Sequence, residues 1–250
     1  MATGDVFGRT ADQLATSRSV VVPDLLGFGR SLDEARIDFG TDAHLAAIDA
    51  VVAESLGDRS AFVAAHSMGS TLALRWACRH PDRVEQVVCI GPPIWASRAA
   101  ARAAIGHTNP MARAFALDER LARRACALSC RHRALSGWLA ALMAPRWPLT
   151  VARQASLHTW PAYRQAMEQQ ILDANWEALL TRLDQAAVPV LLIWGDRDTV
   201  GDREYAQGIA SALANVEVRI VPGADHTLPA SHPGLIVEAS NPPAAAQARP

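Results

Sequence analysis

Three short stretches carry side chains that could react together. AFVAAHSMGS, residues 61–70, leads an apolar run directly into Ser67, with Ala65 two residues before it and Gly69 two after. A serine hydroxyl is a poor nucleophile until a base takes its proton. A sharp strand-to-helix turn lifts such a hydroxyl clear of the backbone and aims the first amides of the next helix at the same point. The turn crowds the backbone, so its flanks must be small, and Ala65 and Gly69 meet that demand. The plainer alternative is a serine that caps an ordinary helix. Further on, WGDRDTV places Asp196, Asp198 and Asp202 just past an apolar run, and PGADHTLP places His226 just past another. An alcohol, a carboxylate and an imidazole thus each follow a strand end, in that order, and such a set could activate a serine nucleophile.

Elements that could hold these groups recur along the chain. The runs SVVVPDL (19–25), AFVAAHS (61–67), VEQVVCIG (84–91), VPVLLIWG (188–195) and VEVRIVPG (216–223) are continuously apolar and rich in β-branched residues. Strands buried on both faces read this way. Helical patterns lie between them. TDAHLAAIDAVVAESLG, from Thr41, has a cap residue, helical apolar spacing and the terminal Gly57. The alternation predicts an α/β fold, a mostly parallel sheet flanked by helices. It breaks between the third and fourth apolar runs, where helical patterns are divided by Pro110, Pro145, Pro148 and Pro161. The expected organisation is a core of residues 1–95 and 184–240, a helical cap insertion of residues 96–183, and a disordered tail of residues 241–250.

Composition narrows the function classes. The 250 residues carry a formal net charge of −1, which argues against a general nucleic-acid binder. All 24 basic residues are arginine. Without lysine, Schiff-base chemistry, a pyridoxal site and a P-loop are excluded. Cys78, Cys89, Cys126 and Cys130 form neither a CxxC pair nor a regular disulfide framework. Cys126 and Cys130 fall one helical turn apart without two further ligands nearby, so packing is expected there and no metal. A reducing, cytoplasmic setting fits this cysteine usage.

The motifs together resemble the α/β-hydrolase superfamily. AHSMGS is similar to its Gly-x-Ser-x-Gly elbow, with Ala65 at the first glycine. DLLGFGRS (24–31) resembles the loop after its fourth strand, HPDRV (80–84) its link from the elbow helix to the next strand, and WGDRD and GADH its acid and base loops. The resemblance implies Ser67 as nucleophile, His226 as general base and Asp198, the second aspartate of its loop, as the acid that holds the imidazole. Asp196 is then a turn residue and Asp202 a weaker candidate. His232, before Pro233, is the competing base, and His66 is expected to pack or hydrogen-bond away from the site. No cofactor and no metal are implied. Gly27 and Gly29 are expected to allow a compact loop near the site.

The same resemblance implies elements that this sequence lacks. The superfamily has three strands before its fourth, and the third ends in a His-Gly loop that supplies half of the oxyanion hole. Here the chain starts at about that loop, so an N-terminal truncation is expected. The surviving oxyanion donor is the backbone amide of Met68, and its partner would have to come from Ala2 to Gly4. Loss of one such donor lowers turnover by ~10²–10³. The apolar runs at 19–25 and 61–67 would lose the strand between them. They must pair directly or leave the catalytic strand on an open edge.

The expected function is hydrolysis of carboxylic esters or related acyl compounds by a Ser67–His226–Asp198 triad through an acyl-enzyme. Two alternatives stay open: carbon–carbon bond hydrolysis of the meta-cleavage type, and an inactive or binding remnant of the fold. From Arg98 to Arg164 there are eleven arginines against two acids, Asp118 and Glu119. Helical spacing puts Arg113, Arg120, Arg124 and Arg131 on one face, and Phe115, Leu117, Leu121, Ala125 and Leu128 mainly on the other. A solvated basic face is the expected reading. Attraction of an anionic small-molecule substrate or an acidic lipid surface is the sharper one, although a membrane surface is not the expected partner. Trp95, Trp138, Trp147, His158 and Trp160 could line an apolar acyl pocket, and cap core is the expected reading.

Overall fold

The computed structural model describes residues 3–108 and 118–241. Four of the five apolar runs form strands: β1 (Ala61–His66), β2 (Val84–Ile90), β3 (Val190–Gly195) and β4 (Val216–Val221). They make one parallel sheet in the order β1-β2-β3-β4. Successive side chains in a strand point to opposite faces, so a continuous apolar run supplies two cores. Val87, Cys89, Val190, Leu192 and Trp194 face one layer. Val88, Ile90, Leu191 and Ile193 face the other.

The first layer is built by α2 (Thr41–Leu56), α3 (Gly69–Arg79), α9 (Trp176–Gln185) and α10 (Arg203–Ala210). The second contains α1 (Gly8–Leu14), α11 (Leu228–Ser231) and α12 (Gly234–Ser240), which bring Leu14, Leu228 and Ile236 onto the sheet. Between β2 and α9 lie α4 (Arg98–Thr108), α5 (Glu119–Arg131), α6 (Arg133–Met143), α7 (Leu149–Gln154) and α8 (Trp160–Gln165), the last continuing as a wide turn over Ala166–Leu172. Although α9 follows these cap-region helices, Trp176, Leu180 and Leu183 bury into the sheet core. Pro110, Arg113, Phe115 and Leu117 lie outside the described residues, as does the tail beyond Asn241.

The apolar run at residues 19–25 does not form the expected strand. It carries no regular structure and pairs with no strand. The reason is the absence of a partner. Among the described residues β1 bonds to β2 alone and is an edge, and a cavity of about 870 Å³ lies between it and the 19–25 segment. Val20, Val22, Leu25, Phe62, Val63 and Ala64 are among the residues lining that cavity. Apart from Ala65, β1 is only half-buried, whereas β3 is buried throughout.

On helix α5 small residues, not the leucines, face inward. It buries Ala122 and Cys126 and leaves Leu121 and Leu128 exposed. Small side chains on the buried face let the helix approach its neighbours closely, and the larger leucines turn outward. Cys126 sits in that buried face, and the Cys130 thiol donates to the carbonyl of His158.

Two imidazoles are buried without a full set of partners. His44 on α2 bonds through neither ring nitrogen, and His158 leaves Nδ1 unpaired. Burial pushes both pKa values down to about 4 from 6.5. Each is neutral in the folded chain but takes a proton in the unfolded chain below its ordinary value. Folding stability is therefore complete above about pH 6.5 and falls as pH drops towards 4, by roughly 2–4 kcal/mol per group. Urea midpoints measured at falling pH should show the loss, and His44→Leu should flatten part of it. A midpoint slope identical in the wild type and His44→Leu would contradict the assignment.

Candidate active site

All four strands deliver their carboxyl ends to one place. Ser67 follows β1, Gly91 follows β2, Asp198 lies in the turn after β3, and His226 in the turn after β4. In parallel sheets ligand sites form at this rim.

Ser67 has φ of 52°, a left-handed conformation rare for a residue with a side chain. Its amide donates to the Ile90 carbonyl at 2.8 Å, and its own carbonyl accepts from the Ser70 amide at 3.0 Å as α3 begins. These two bonds hold the corner, and the strained backbone turns the hydroxyl outward. A methyl at Gly69 would meet only the Ala65 side chain, at 3.9 Å. The alanine at the first elbow position therefore leaves the corner uncrowded.

The hydroxyl of Ser67 lies 3.1 Å from His226 Nε2, and His226 Nδ1 lies 2.9 Å from Asp198 Oδ2. With the Nδ1–H tautomer, the ring donates to Asp198 and accepts from Ser67, an unbroken line of three groups. The Asp198 carboxylate is fully buried. Its other oxygen accepts from the Val200 amide at 2.8 Å. Arg203 ties this turn together by donating to the carbonyls of Gly195, Asp196 and Asp198.

The other candidates fall elsewhere. Asp196 accepts from the Gly223 amide at 2.8 Å and so joins the β3 and β4 turns. Asp202 caps α10 by accepting from the Tyr205 amide. His232 is half-buried away from Ser67, and its Nδ1 lies 2.9 Å from the Ser231 hydroxyl. His66 points behind the site, where its Nε2 lies 3.0 Å from the His226 carbonyl and its ring centroid 4.6 Å from that of His226. Burial holds its pKa well below the ordinary value, so the ring is neutral and Nε2–H is the donor.

The Met68 amide precedes α3 and donates to no group among the described residues. It is open to a developing oxyanion. Of the expected partners, Ala2 lies outside the described residues. The Gly4 amide is occupied by Asp24 Oδ1 at 2.6 Å and cannot serve. That buried carboxylate organises the whole DLLGFGRS loop, because it also accepts from the Arg30 amide and pairs with its guanidinium. Thr3 remains, and it lines the same cavity as Ser67 and Met68. Gly27 and Gly29 are both left-handed. A methyl at Gly27 would stand 2.5 Å from Ala162 of the cap region, and one at Gly29 2.6 Å from Asp24.

Two contributors have little sequence signal. Trp147, from the cap region, sets its ring edge-on to His66 and His226, at centroid distances of 5.7 and 6.5 Å. Gly91 has φ of 53°, and a methyl there would lie 2.9 Å from both Asp198 Oδ2 and His226 Nδ1. The glycine ending the run VEQVVCIG is the only hint of it. Gly91→Ala should wedge the acid–imidazole pair apart and lower kcat by about 10²-fold, since displacements near 1 Å have effects of that size. Steady-state kinetics on a variant with unchanged circular dichroism tests this; wild-type kcat would contradict it.

The alpha/beta hydrolase fold family model matches residues 2–233, and the chain belongs to that family. Among curated proteins, it is 26% identical over 222 residues to a probable lysophospholipase, BODYGUARD 4, of Arabidopsis thaliana, covering 81% of this chain and 51% of the relative. It thus spans about half the length of that relative. It is 29% identical over 234 residues to the pimeloyl-[acyl-carrier protein] methyl ester esterase of Chromobacterium violaceum, covering 92% of this chain and 85% of the relative. Among solved structures, the thioesterase domain from the curacin biosynthetic pathway superposes with a TM-score of 0.66 at 20% identity, over 95% of this chain and 86% of that one. The fold class expected from the sequence, a parallel sheet flanked by helices, is that of the family. No described helix is long and apolar enough to cross a membrane.

Proposed function

We propose that the chain is a serine hydrolase of carboxylic esters or related acyl compounds. The observation that carries this reading is the unbroken line from Ser67 Oγ through His226 to the buried Asp198. Ser67 attacks the acyl carbon while His226 Nε2 takes its proton. Asp198 holds the ring tautomer and favours the imidazolium that forms. The oxyanion gathers at the Met68 amide. His226 then returns the proton to the leaving group, which departs and leaves an acyl-Ser67 ester. Water, activated by the same ring, releases the acid. The names of the plant and Chromobacterium relatives, a lysophospholipase and a methyl ester esterase, support an acyl substrate.

The test is a panel of p-nitrophenyl esters of graded chain length, run beside a ring-cleavage dienoate. Ester turnover that saturates is the expected result. Turnover of the dienoate alone would move the assignment to carbon–carbon hydrolysis, and a folded chain inert to both would make it a remnant.

A further inference from the structure

Helix α6 carries its apolar stripe on the outside. Leu135, Trp138, Leu139, Leu142 and Met143 fall at the i, i+3, i+4, i+7, i+8 spacing of one helix face. All five are more than half exposed, Leu142 by 78%. The one residue of α6 that is buried is Gly137, where an added methyl would stand 3.0 Å from the Arg153 carbonyl of α7. The helix therefore packs backbone against backbone through a glycine and leaves its large side chains in water. Leu128, at the end of α5, and Leu149, at the start of α7, add to the exposed apolar surface.

The surrounding charge is mainly positive, although Arg133 of α6 pairs with Glu34. From residue 119 to 154 there are seven arginines and one acid, Glu119. Arg123, Arg124 and Arg131 are exposed and make no ion pair among the described residues. Arg153 lays its guanidinium 4.5 Å over the Trp138 ring, on the stripe itself. Arg146 is 82% exposed and reaches Asp225 only at 3.6 Å.

We propose that the apolar stripe of α6 and the arginines of the neighbouring α5 and α7 dock the chain on an anionic lipid surface. An apolar helical stripe with tryptophan, bordered by arginine and nearly free of acid, has the composition of a helix that lies in the headgroup boundary. A second copy of the chain fits the same face poorly. It would set two arginine-rich surfaces against each other, and a helix of eleven residues, about 16 Å long and about 10 Å wide, falls well short of the roughly 800 Å² per partner of a stable dimer. Docking would also bring the site to the lipid. Four residues beyond Met143 the chain reaches Trp147, whose ring lies against His66 and His226. Charge pattern alone reads as a solvated face; the outward stripe turns that reading into a lipid-facing one.

The test is co-sedimentation with phosphatidylcholine vesicles made with and without phosphatidylglycerol, at low and high salt. The wild-type chain should pellet with the anionic vesicles. Its partition should fall about tenfold as salt shortens the screening length from about 10 to about 3 Å. Leu139→Asp/Leu142→Asp should stay in the supernatant with an unchanged melting temperature and unchanged turnover of a soluble short-chain ester. Arg123→Glu/Arg124→Glu should bind more weakly and with a shallower salt dependence. Equal pelleting with phosphatidylcholine alone, pelleting of Leu139→Asp/Leu142→Asp, or a wild-type chain that stays in solution would each overturn the proposal. So would a dimer, seen by sedimentation equilibrium, that Leu139→Asp/Leu142→Asp dissociates while no vesicle is bound.

Discussion

Ser67→Ala is expected to lower kcat for a p-nitrophenyl ester by on the order of 10⁴–10⁶-fold and to leave the fold intact. The two bonds that shape the elbow, Ser67 N–H to the Ile90 carbonyl and Ser70 N–H to the Ser67 carbonyl, are backbone bonds and survive the change. Alanine keeps the Cβ, so the left-handed strain at φ of 52° is the same. The substitution removes the hydroxyl 3.1 Å from His226 and little else. Because the three groups act as one unit, His226→Ala added to Ser67→Ala should lower the rate hardly further. Kinetics of both single variants and the double one check this. Independent, multiplying losses would mean that the two residues do not share a proton.

Asp198→Asn should give the second large effect, a fall in kcat of roughly 10⁴. The volume is conserved, and the amide oxygen can still accept from the Val200 amide. The amide NH₂ then faces His226 Nδ1 and donates to it. Nδ1 becomes the acceptor, the ring proton moves to Nε2, and Nε2 can no longer take the proton of Ser67. Activity should be lost with a modest change in melting temperature. Asp196→Asn should keep activity within a few-fold, because Asp196 faces the Gly223 amide and not the ring. Loss of activity in Asp196→Asn but not in Asp198→Asn would reassign the acid.

The parts of the site that lie within one short stretch were legible in the sequence. The strand-to-helix corner at Ser67, with small flanks, is a local signal, and so are the turns that present Asp198 and His226. The four strands of the sheet could be read because each is apolar on both faces over its whole length. The 19–25 run has the same composition but no strand beside it, and an apolar run does not carry its own partner. Its conformation is a tertiary matter. The oxyanion donors were legible only in part. The Met68 amide follows from the elbow, but the occupation of the Gly4 amide by Asp24 depends on a contact across twenty residues.

The cap region was the least legible. Helical spacing identifies an amphipathic pattern without saying which face will pack. On α5 the buried face is Ala122 and Cys126, and on α6 it is Gly137. In both, close approach selected small residues and turned leucines outward, the reverse of a reading by hydrophobicity. Trp147 and Gly91 show a related limit. Each acts on His226 from a distant part of the chain, and neither type of residue signals chemistry alone.

Folding is expected to make Ser67 a nucleophile. A fluorophosphonate forms a phosphonyl ester with an activated serine and expels fluoride, so peptide mapping by mass spectrometry identifies the reacting side chain. One adduct per chain on the peptide holding Ser67, lost in Ser67→Ala and in His226→Ala, is the predicted result. A cooperatively folded chain that takes no adduct, or takes it at another residue, would contradict the account.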